Sequence, residues 1–325
     1  MEIAVIGAGM AGLTAARTLA KGGHAVRLFD KGRGPGGRMS TRRAQTPRGE
    51  VRFDHGAQHF SPRQKTFAAE VTQWVEAGAA ARWEGSFVTI NEKGDVHPAP
   101  DRAIFVGTPS MNAIVRHLCR DLDVTWGRRV ETILGDAGSY ALAFEGGAEE
   151  AGFDAVVVAV PLEQVSPLLA APAPDLAART ERLASDPCWT IMVAFDEPLE
   201  APFDAASFET GPLAWTARNS SKPGRGSDET WVLQASADWS RTHLEDDATT
   251  VEEALLDAFA PPLDPIFIQA HRWRFSQVVA PLGEDALWDA TIGIGACGDW
   301  LCGRGIEDAW SSGLAVAHLI MDKAS

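Results

Sequence analysis

The first residues of the chain that could do chemistry are glycines spaced to hold a phosphate. Gly7, Gly9 and Gly12 lie between an apolar run, Ile3–Ile6, and a stretch of helix formers, Ala11–Lys21. Glycines at this spacing allow a tight turn, a close approach of the backbone to a pyrophosphate, and close packing of the helix on the strand. The N-terminus of the helix also offers unpaired N–H groups to an anion. The sequence therefore predicts a dinucleotide-binding turn.

An acidic residue completes this unit at the end of a second apolar run. Ala25–Phe29 reads as a strand, so the chain opens as β-α-β, and Asp30 follows it directly. A carboxylate at this point accepts hydrogen bonds from ribose hydroxyls and repels a 2′-phosphate. These residues alone fit either FAD or NAD as the bound nucleotide.

A second glycine-rich segment favours FAD over NAD as the bound nucleotide. Gly34–Met39 comes directly after the second strand, and its Arg38 could give charge-assisted hydrogen bonds to phosphates. The segment resembles the second glycine motif of the flavin-dependent amine oxidase superfamily, which a plain nicotinamide dehydrogenase lacks. The resemblance implies non-covalent FAD.

Other segments resemble the same superfamily. By resemblance, Asp299 in Gly298–Trp300 holds the ribityl or phosphate region, and the helix that opens in Gly303–Trp310 meets the pyrimidine edge of the flavin. Phe53–Phe60 resembles the loop beside the isoalloxazine, and Val130 the contact to adenine. The residues thus predicted to bind FAD are Gly7, Gly9, Met10, Ala11, Gly12, Asp30, Lys31, Gly37, Arg38, Met39, His55, Gly56, Ala57, Gln58, Val130, Asp299, Gly305, Ile306 and Glu307.

The elements that must position these residues divide into two kinds. Buried strands and helices at both ends predict a Rossmann-type α/β domain, whereas strands in series in the middle predict an α+β lobe with an antiparallel sheet. The further predicted elements are strands at Val124–Trp126, Arg129–Leu134, Tyr140–Phe144, Phe153–Val160, Cys188–Phe195, Leu213–Arg218, Trp231–Ser236 and Ile292–Ala296, and helices at Asn112–Leu122, Asp175–Leu183, Thr250–Phe259 and Ile306–Lys323. The predicted domains are a discontinuous FAD-binding domain at residues 1–60, 105–165 and 275–325, and an inserted substrate domain at 61–104 and 166–274.

Composition limits the partners and the compartment. The 325 residues carry a formal net charge of −15, which disfavours binding to nucleic acid or anionic membranes. We expect no membrane span, because the chain has no apolar run of about 18 residues. The N-terminus lacks the pattern of a secretory signal, which predicts the cytoplasm. The four cysteines form no C-x-x-C pair and have no nearby histidine cluster, so neither a metal site nor a disulfide scaffold is predicted.

Segments spread over nearly the whole chain resemble bacterial renalase-like proteins. They are Arg38–Arg43, Phe53–Phe60, Arg218–Arg225, Ser236–Leu244, His271–Trp273 and Gly298–Gly313. The resemblance implies oxidation of the 2- or 6-dihydro isomers of NAD(P)H to NAD(P)+, with O₂ as the electron acceptor and H₂O₂ as the product. Such a donor becomes aromatic when it loses hydride, so the protein must orient it at flavin N5 and needs no general base.

The residues expected to line the substrate site come from the inserted lobe and the flavin loop. They are Gln58, His59, Asn219, His271 and Arg272. Asn219 could hydrogen-bond a carboxamide, and His271 could instead be an internally satisfied core histidine. Lys222 and Arg225 lie in a Gly/Pro/Ser loop, which predicts solvated side chains.

Two other functions stay open at this point. An amine oxidase of the same superfamily would form an imine from an amine, often between two tyrosines. The single tyrosine, Tyr140, makes such a cage impossible, although 11 Trp and 14 Phe could replace it. The other alternative is a protein whose bound FAD regulates a partner without turnover. The sequence does not indicate an oligomeric state.

Overall fold

The computed structural model describes residues 1–322, which form twenty strands and nine helices. The strands are β1 (Glu2–Ile6), β2 (Ala25–Asp30), β3 (Arg42–Thr46), β4 (Gly49–Phe53), β5 (Ala80–Arg82), β6 (Phe87–Ile90), β7 (Val96–Pro98), β8 (Phe105–Gly107), β9 (Asp123–Trp126), β10 (Val130–Asp136), β11 (Ser139–Phe144), β12 (Glu149–Phe153), β13 (Ala155–Val158), β14 (Ser185–Phe195), β15 (Ala205–Phe208), β16 (Leu213–Arg218), β17 (Glu229–Ala235), β18 (Phe267–Val278), β19 (Leu287–Asp289) and β20 (Ile294–Ala296). The helices are α1 (Met10–Lys21), α2 (Lys65–Glu76), α3 (Ala113–Leu118), α4 (Val165–Leu169), α5 (Pro174–Thr180), α6 (Ala237–Thr242), α7 (Ala248–Phe259), α8 (Asp299–Cys302) and α9 (Ile306–Met321).

A six-stranded sheet in the order β19-β20-β13-β1-β2-β9 forms the first layer. Its central strand β1 pairs in parallel with both β2 and β13, as a β-α-β unit requires. Alternate residues of β1 point to opposite faces: Ile3 and Val5 pack in one core with α1 and α9, and Ala4 and Ile6 pack in another with the small sheet β10-β11-β12. Because both faces are covered, β1 is apolar along nearly its whole length.

A seven-stranded sheet forms the second layer, in the order β18-β14-β17-β16-β15-β6-β7. Its pairings are antiparallel except that of β15 with β6, which is parallel. Trp231 and Leu233 of β17 share a core with Val251 and Leu255 of α7. The predicted fold class, a Rossmann-type unit with an inserted lobe that contains an antiparallel sheet, is confirmed.

Residues 61–104, predicted as part of the substrate domain, divide between the two layers. β6 and β7 pair within the seven-stranded sheet, whereas Phe67 and Trp74 of α2 join the core that contains α1 and α9. The predicted domain boundaries therefore stay a proposal about how the chain divides.

Three predicted elements are wrong in extent. The helix predicted at Asp175–Leu183 is α5, which ends at Thr180. The helix predicted at Asn112–Leu122 is α3, which ends at Leu118, and Asp121 then adopts a positive φ of 63°. The strand predicted at Phe153–Val160 is split between β12 and β13. Lys323, the predicted end of the last helix, lies outside the described residues. Within residues 1–322, no helix combines the length and the apolarity needed to cross a membrane.

Candidate active site

A cavity of about 1170 Å³ is lined by residues from both large sheets. The FAD-binding candidates that line it are Gly7, Gly9, Met10, Ala11, Asp30, Lys31, Gly37, Arg38, Met39, Gly56, Ala57, Gln58, Val130, Asp299, Gly305 and Ile306. Of the other predicted contacts, Gly12, His55 and Glu307 do not line it. The fold thus brings together segments that are far apart in the sequence, and the individual contacts to FAD stay predictions.

The glycine turn after β1 is built as the sequence predicts. Gly7 adopts a positive φ of 105°, which favours glycine. Gly12 faces away from the cavity, and a Cβ there would collide with the carbonyl oxygen of Gly7. Its role is therefore the close packing of α1 on the turn.

Protein packing does not explain why residue 9 is a glycine. A Cβ at Gly9 would meet no protein atom within 4 Å, and the residue lines the cavity at the first turn of α1. A side chain there would occupy the cavity itself, at the end of the helix where N–H groups favour an anion. This opening fits the pyrophosphate of FAD.

Asp30 and Lys31 lie at the end of β2, beside Val130. The two carboxylate oxygens of Asp30 accept hydrogen bonds from the backbone N–H groups of Ala8, at 2.7 Å, and Gly32, at 2.6 Å. Each oxygen keeps a second lone pair, which is what a ribose hydroxyl would need. Contact of Asp30 with ribose stays a prediction.

Arg38 and Asp299 bind each other. The guanidinium donates to both carboxylate oxygens, at 2.8 and 2.5 Å, and also to the carbonyl of Ser276 at 2.9 Å. Asp299 is only 4% exposed, so an unpaired charge there would be costly. The arginine therefore neutralises a carboxylate that would otherwise repel an anionic cofactor.

The first turn of α9 presents its backbone to the cavity, but the side chain of Glu307 is directed elsewhere. Its carboxylate accepts hydrogen bonds from the backbone N–H groups of Arg63, at 2.9 Å, and Gln64, at 2.8 Å. Gly305 and Ile306 line the cavity. The Glu307 side chain is buried and ties the segment before α2 to α9, and contact of Glu307 with FAD stays a prediction.

The segment between Phe53 and Phe60 joins the cofactor side to the seven-stranded sheet. The N–H of Ala57 donates to the carbonyl of Arg38 at 2.8 Å, and the amide of Gln234 on β17 donates to the carbonyl of Gly56 at 2.8 Å. Gly56 to His59 line the cavity. The cofactor motif and the substrate sheet therefore meet at this segment.

His55 lies behind this wall. Its ring stacks on Trp273, with 5.1 Å between ring centroids, and meets the edge of His271 at 4.8 Å. Burial, with smaller contributions from the positive charges of His271 and Arg42, lowers the pKa of His55 to about 4. His271 is not in the cavity wall, and we assign its ring to this aromatic cluster.

The pKa of His55 predicts an acid-sensitive fold. An unfolded histidine binds a proton below about pH 6.5, but folded His55 stays neutral down to about pH 4. The free energy of unfolding should therefore decrease between pH 6.5 and 4, by up to about 3 kcal/mol for this group. Urea unfolding at pH 7, 5.5 and 4.5 measures it. His55→Phe, which keeps a ring against Trp273, should reduce the decrease, and the exposed control His97→Phe should not; an undiminished decrease in His55→Phe would contradict the assignment.

The substrate-lining candidates separate into two groups. Gln58, His59 and Arg272 line the cavity. Asn219 does not: it is 1% exposed, its Nδ2 donates to the carbonyl of Arg52 at 2.8 Å, and its Oδ1 accepts the N–H of Asp54 at 3.3 Å. The structure therefore uses the Asn219 amide to hold the loop after β4, not to face the cavity.

Several wall residues were missed in the sequence. Among them are four residues of the seven-stranded sheet that line the cavity: Cys188 on β14, Trp215 on β16, Gln234 on β17 and Trp273 on β18. The ring of Trp215 lies 4.8 Å from that of His59. Their only signal is alternation along strands, and it does not show which face of the sheet meets the cofactor.

Lys222 and Arg225, predicted to be solvated, are buried. Their side chains are 0% and 3% exposed, respectively, and both lie close to the buried carboxylate of Asp54. The sequence prediction was wrong because a polar Gly/Pro/Ser loop does not reveal that the loop folds inward onto Asp54. Across residues 1–322, no group of three or more His, Cys, Asp or Glu residues could hold a metal ion.

Two family models match the chain. Residues 5–71 match a model described as an NAD(P)-binding Rossmann-like domain. Residues 85–321 match a model described as flavin-containing amine oxidoreductase. The second match covers well over half of the chain, and together the two matches take in the glycine turn and the C-terminal motif.

Solved structures share the fold over the whole chain. One is a "putative protoporphyrinogen oxidase" from Exiguobacterium sp. 255-15, with a TM-score of 0.76, 14% identity and 99% coverage of each chain. Another is a putrescine oxidase bound to putrescine, with a TM-score of 0.68, 14% identity and 99% coverage of each chain. At this identity the likeness establishes the fold alone.

Proposed function

The chain belongs to the flavin-containing amine oxidoreductase family, as an FAD-dependent oxidoreductase, and on that premise we propose that it is a renalase-like oxidase. Its substrates are the 2- and 6-dihydro isomers of NAD(P)H, and its product is NAD(P)+. Bound FAD supplies the hydride acceptor at N5, and O₂ completes the cycle to give H₂O₂. A cytoplasmic location stays a prediction drawn from the sequence.

The observation that carries this proposal is a patch of uncharged polar and aromatic side chains in the cavity wall, formed by Gln58, His59, Trp215 and Gln234. His59 is held neutral, because burial and the positive charges of Arg102 and Lys222 lower its pKa to about 4. Gln58 and Gln234 add carboxamides, whose N–H groups already donate to backbone carbonyls, and Trp215 adds an aromatic face. Amides and a flat ring complement a nicotinamide, which carries both features itself.

The same wall is poorly suited to a substrate with a distal ammonium group. Among the cavity-lining residues, the seven-stranded sheet contributes one carboxylate, that of Asp186, and it is paired with Arg241. An ammonium group enclosed there would need a free carboxylate or an aromatic cage. The uncharged patch therefore favours a dihydronicotinamide ring over a diamine.

The charge of the cavity also favours an anionic donor. Its lining includes seven basic residues, Lys31, Arg38, Arg128, Arg129, Arg272, Arg274 and Arg304, against five acidic ones. The chain as a whole carries −15, whereas the lining has two more basic than acidic residues, and two of the basic ones, Arg272 and Arg274, are paired with Glu245 outside the lining. Such a local excess attracts the pyrophosphate of FAD and that of a dinucleotide substrate.

An amine oxidase is the second candidate. Trp215 and Trp273 both line the cavity, and aromatic faces of this kind can frame an amine. Tyr140 does not line it, and its hydroxyl donates to the carbonyl of Ile292 at 2.5 Å. Any aromatic frame would therefore be built from tryptophan or phenylalanine, since Phe29 and Phe275 also line the cavity.

Anaerobic mixing of the FAD-loaded protein with a panel of donors tests the proposal. The panel holds the 2- and 6-dihydro isomers, ordinary NADH and NADPH, putrescine and monoamines, and the loss of the flavin absorption band is followed in time. We expect the dihydro isomers to bleach the band at least 100-fold faster than any amine, because their rings become aromatic. Fast bleaching by an amine with slow bleaching by both isomers would replace the proposal with the second candidate.

A further inference from the structure

Lys222 is a fully buried lysine that does not line the cavity. Its Nζ lies 3.0 Å from Oε1 of Gln58, 3.8 Å from Oδ2 of Asp54 and 5.4 Å from the ring centroid of Trp83. Lysine is almost never fully buried unless it is paired. This lysine must share its partner, because Arg225 donates to the same carboxylate.

The buried cluster of Lys222, Arg225 and Asp54 therefore has an excess of positive charge. One carboxylate, 1% exposed, faces two cations when Lys222 is protonated. His59 of this wall is neutral near pH 7, because burial and the positive charges of Arg102 and Lys222 lower its pKa to about 4. An excess buried charge costs free energy, so stability alone does not account for Lys222.

Gln58 connects this cluster to the cavity. Because a protonated lysine Nζ only donates, Oε1 of Gln58 faces Lys222, and Nε2 then faces the backbone carbonyls of Asp54 and Gly56, to which it donates. The side chain lines the cavity where the cofactor motif and the substrate sheet meet. The reacting end of bound FAD would lie at that junction if a donor reaches it from the substrate sheet.

Lys222 can gain or lose its proton near neutral pH. Burial, assisted by the charge of Arg225 and opposed by that of Asp54, lowers the pKa of Lys222 to about 7. A new negative charge nearby would raise this pKa again. Lys222 is therefore able to take up a proton when negative charge enters the cavity.

We propose that Lys222, acting from behind Gln58, stabilises the negative charge that hydride transfer brings to the bound FAD and takes up one proton from solvent in the same step. A hydride carries two electrons and one proton, so it adds one negative charge, and the proton on Lys222 balances it. Lys222 touches neither donor nor cavity and is a positioning residue. The inference rests on FAD and holds for either donor class.

The test is the reduction potential of bound FAD between pH 6 and 9, measured by equilibration with reference dyes. In Lys222→Met, which keeps the length and removes the charge, we expect the reduction equilibrium at pH 7 to fall at least tenfold, about 30 mV in potential. Above pH 7 the wild-type potential should fall more steeply with pH, because one further proton is taken up per two electrons. The additional slope is about 30 mV per pH unit. The variant should lack this additional slope.

Lys93→Met, at an exposed lysine between β6 and β7, is the matched control and should leave the potential unchanged. A wild-type potential in Lys222→Met would overturn the proposal. The proposal would also be overturned if the wild-type potential fell above pH 7 by only one proton per two electrons. This second measurement does not depend on the folding of a variant. Dyes replace the natural donor, so this test is independent of whether dihydronicotinamides or amines are the substrates.

Discussion

Gly9→Val is expected to remove FAD binding while leaving the fold intact. The added side chain meets no protein atom at its Cβ, and the backbone of Gly9, with φ of −82°, accepts a valine without strain. Its methyl groups would fill the part of the cavity at the N-terminus of α1 where a pyrophosphate has to approach the backbone. We expect the affinity for FAD to fall at least 100-fold, because both the contact and the helix N–H groups are lost.

The flavin content of the purified protein and titration of the apoprotein with FAD measure this effect. Gly34→Val is the matched control, because a Cβ at Gly34 also meets nothing within 4 Å, yet Gly34 does not line the cavity. Circular dichroism should be unchanged in both variants. Full FAD content in Gly9→Val would show that the pyrophosphate does not approach this turn.

Asp54→Asn is expected to be among the most destabilising single changes that keep side-chain volume. The carboxylate accepts hydrogen bonds from the hydroxyl of Thr41 at 2.7 Å and the N–H of Met111 at 2.9 Å, in addition to its ion pair with Arg225. Asparagine would leave Arg225 and Lys222 buried without a counter-charge. Breaking a buried pair in this way typically costs about 3–5 kcal/mol.

Urea unfolding of the apoprotein at pH 7 measures the loss, with the exposed Asp257→Asn as the control. Adding Lys222→Met to Asp54→Asn should recover part of the loss, because one of the two unpaired cations is then removed. A loss of under 1 kcal/mol in Asp54→Asn would mean that the cluster is hydrated or that Lys222 is already neutral.

The β-α-β opening and its glycine turn could be predicted from the sequence. Gly7 is required because its φ is positive, and Gly12 because a Cβ there would collide with the turn. The apolar run before them predicts a strand that is covered on both faces. The antiparallel strands of the inserted lobe were also predictable, because their alternation is local. Local signals of this kind depend on a few neighbouring residues and survive in a single sequence.

The folded structure was needed to show which side chains face the cavity and which charges are buried. Of the candidates for the substrate site, Asn219 is hydrogen-bonded inside the protein and His271 packs its ring against that of His55. Trp215 and Gln234 line the cavity instead, because strand pairing turns their side chains towards it. Lys222 looked solvated and is fully buried, because its loop folds onto Asp54, a residue far away in the sequence. Burial and pKa depend on such distant contacts, and no local pattern of residues contains them.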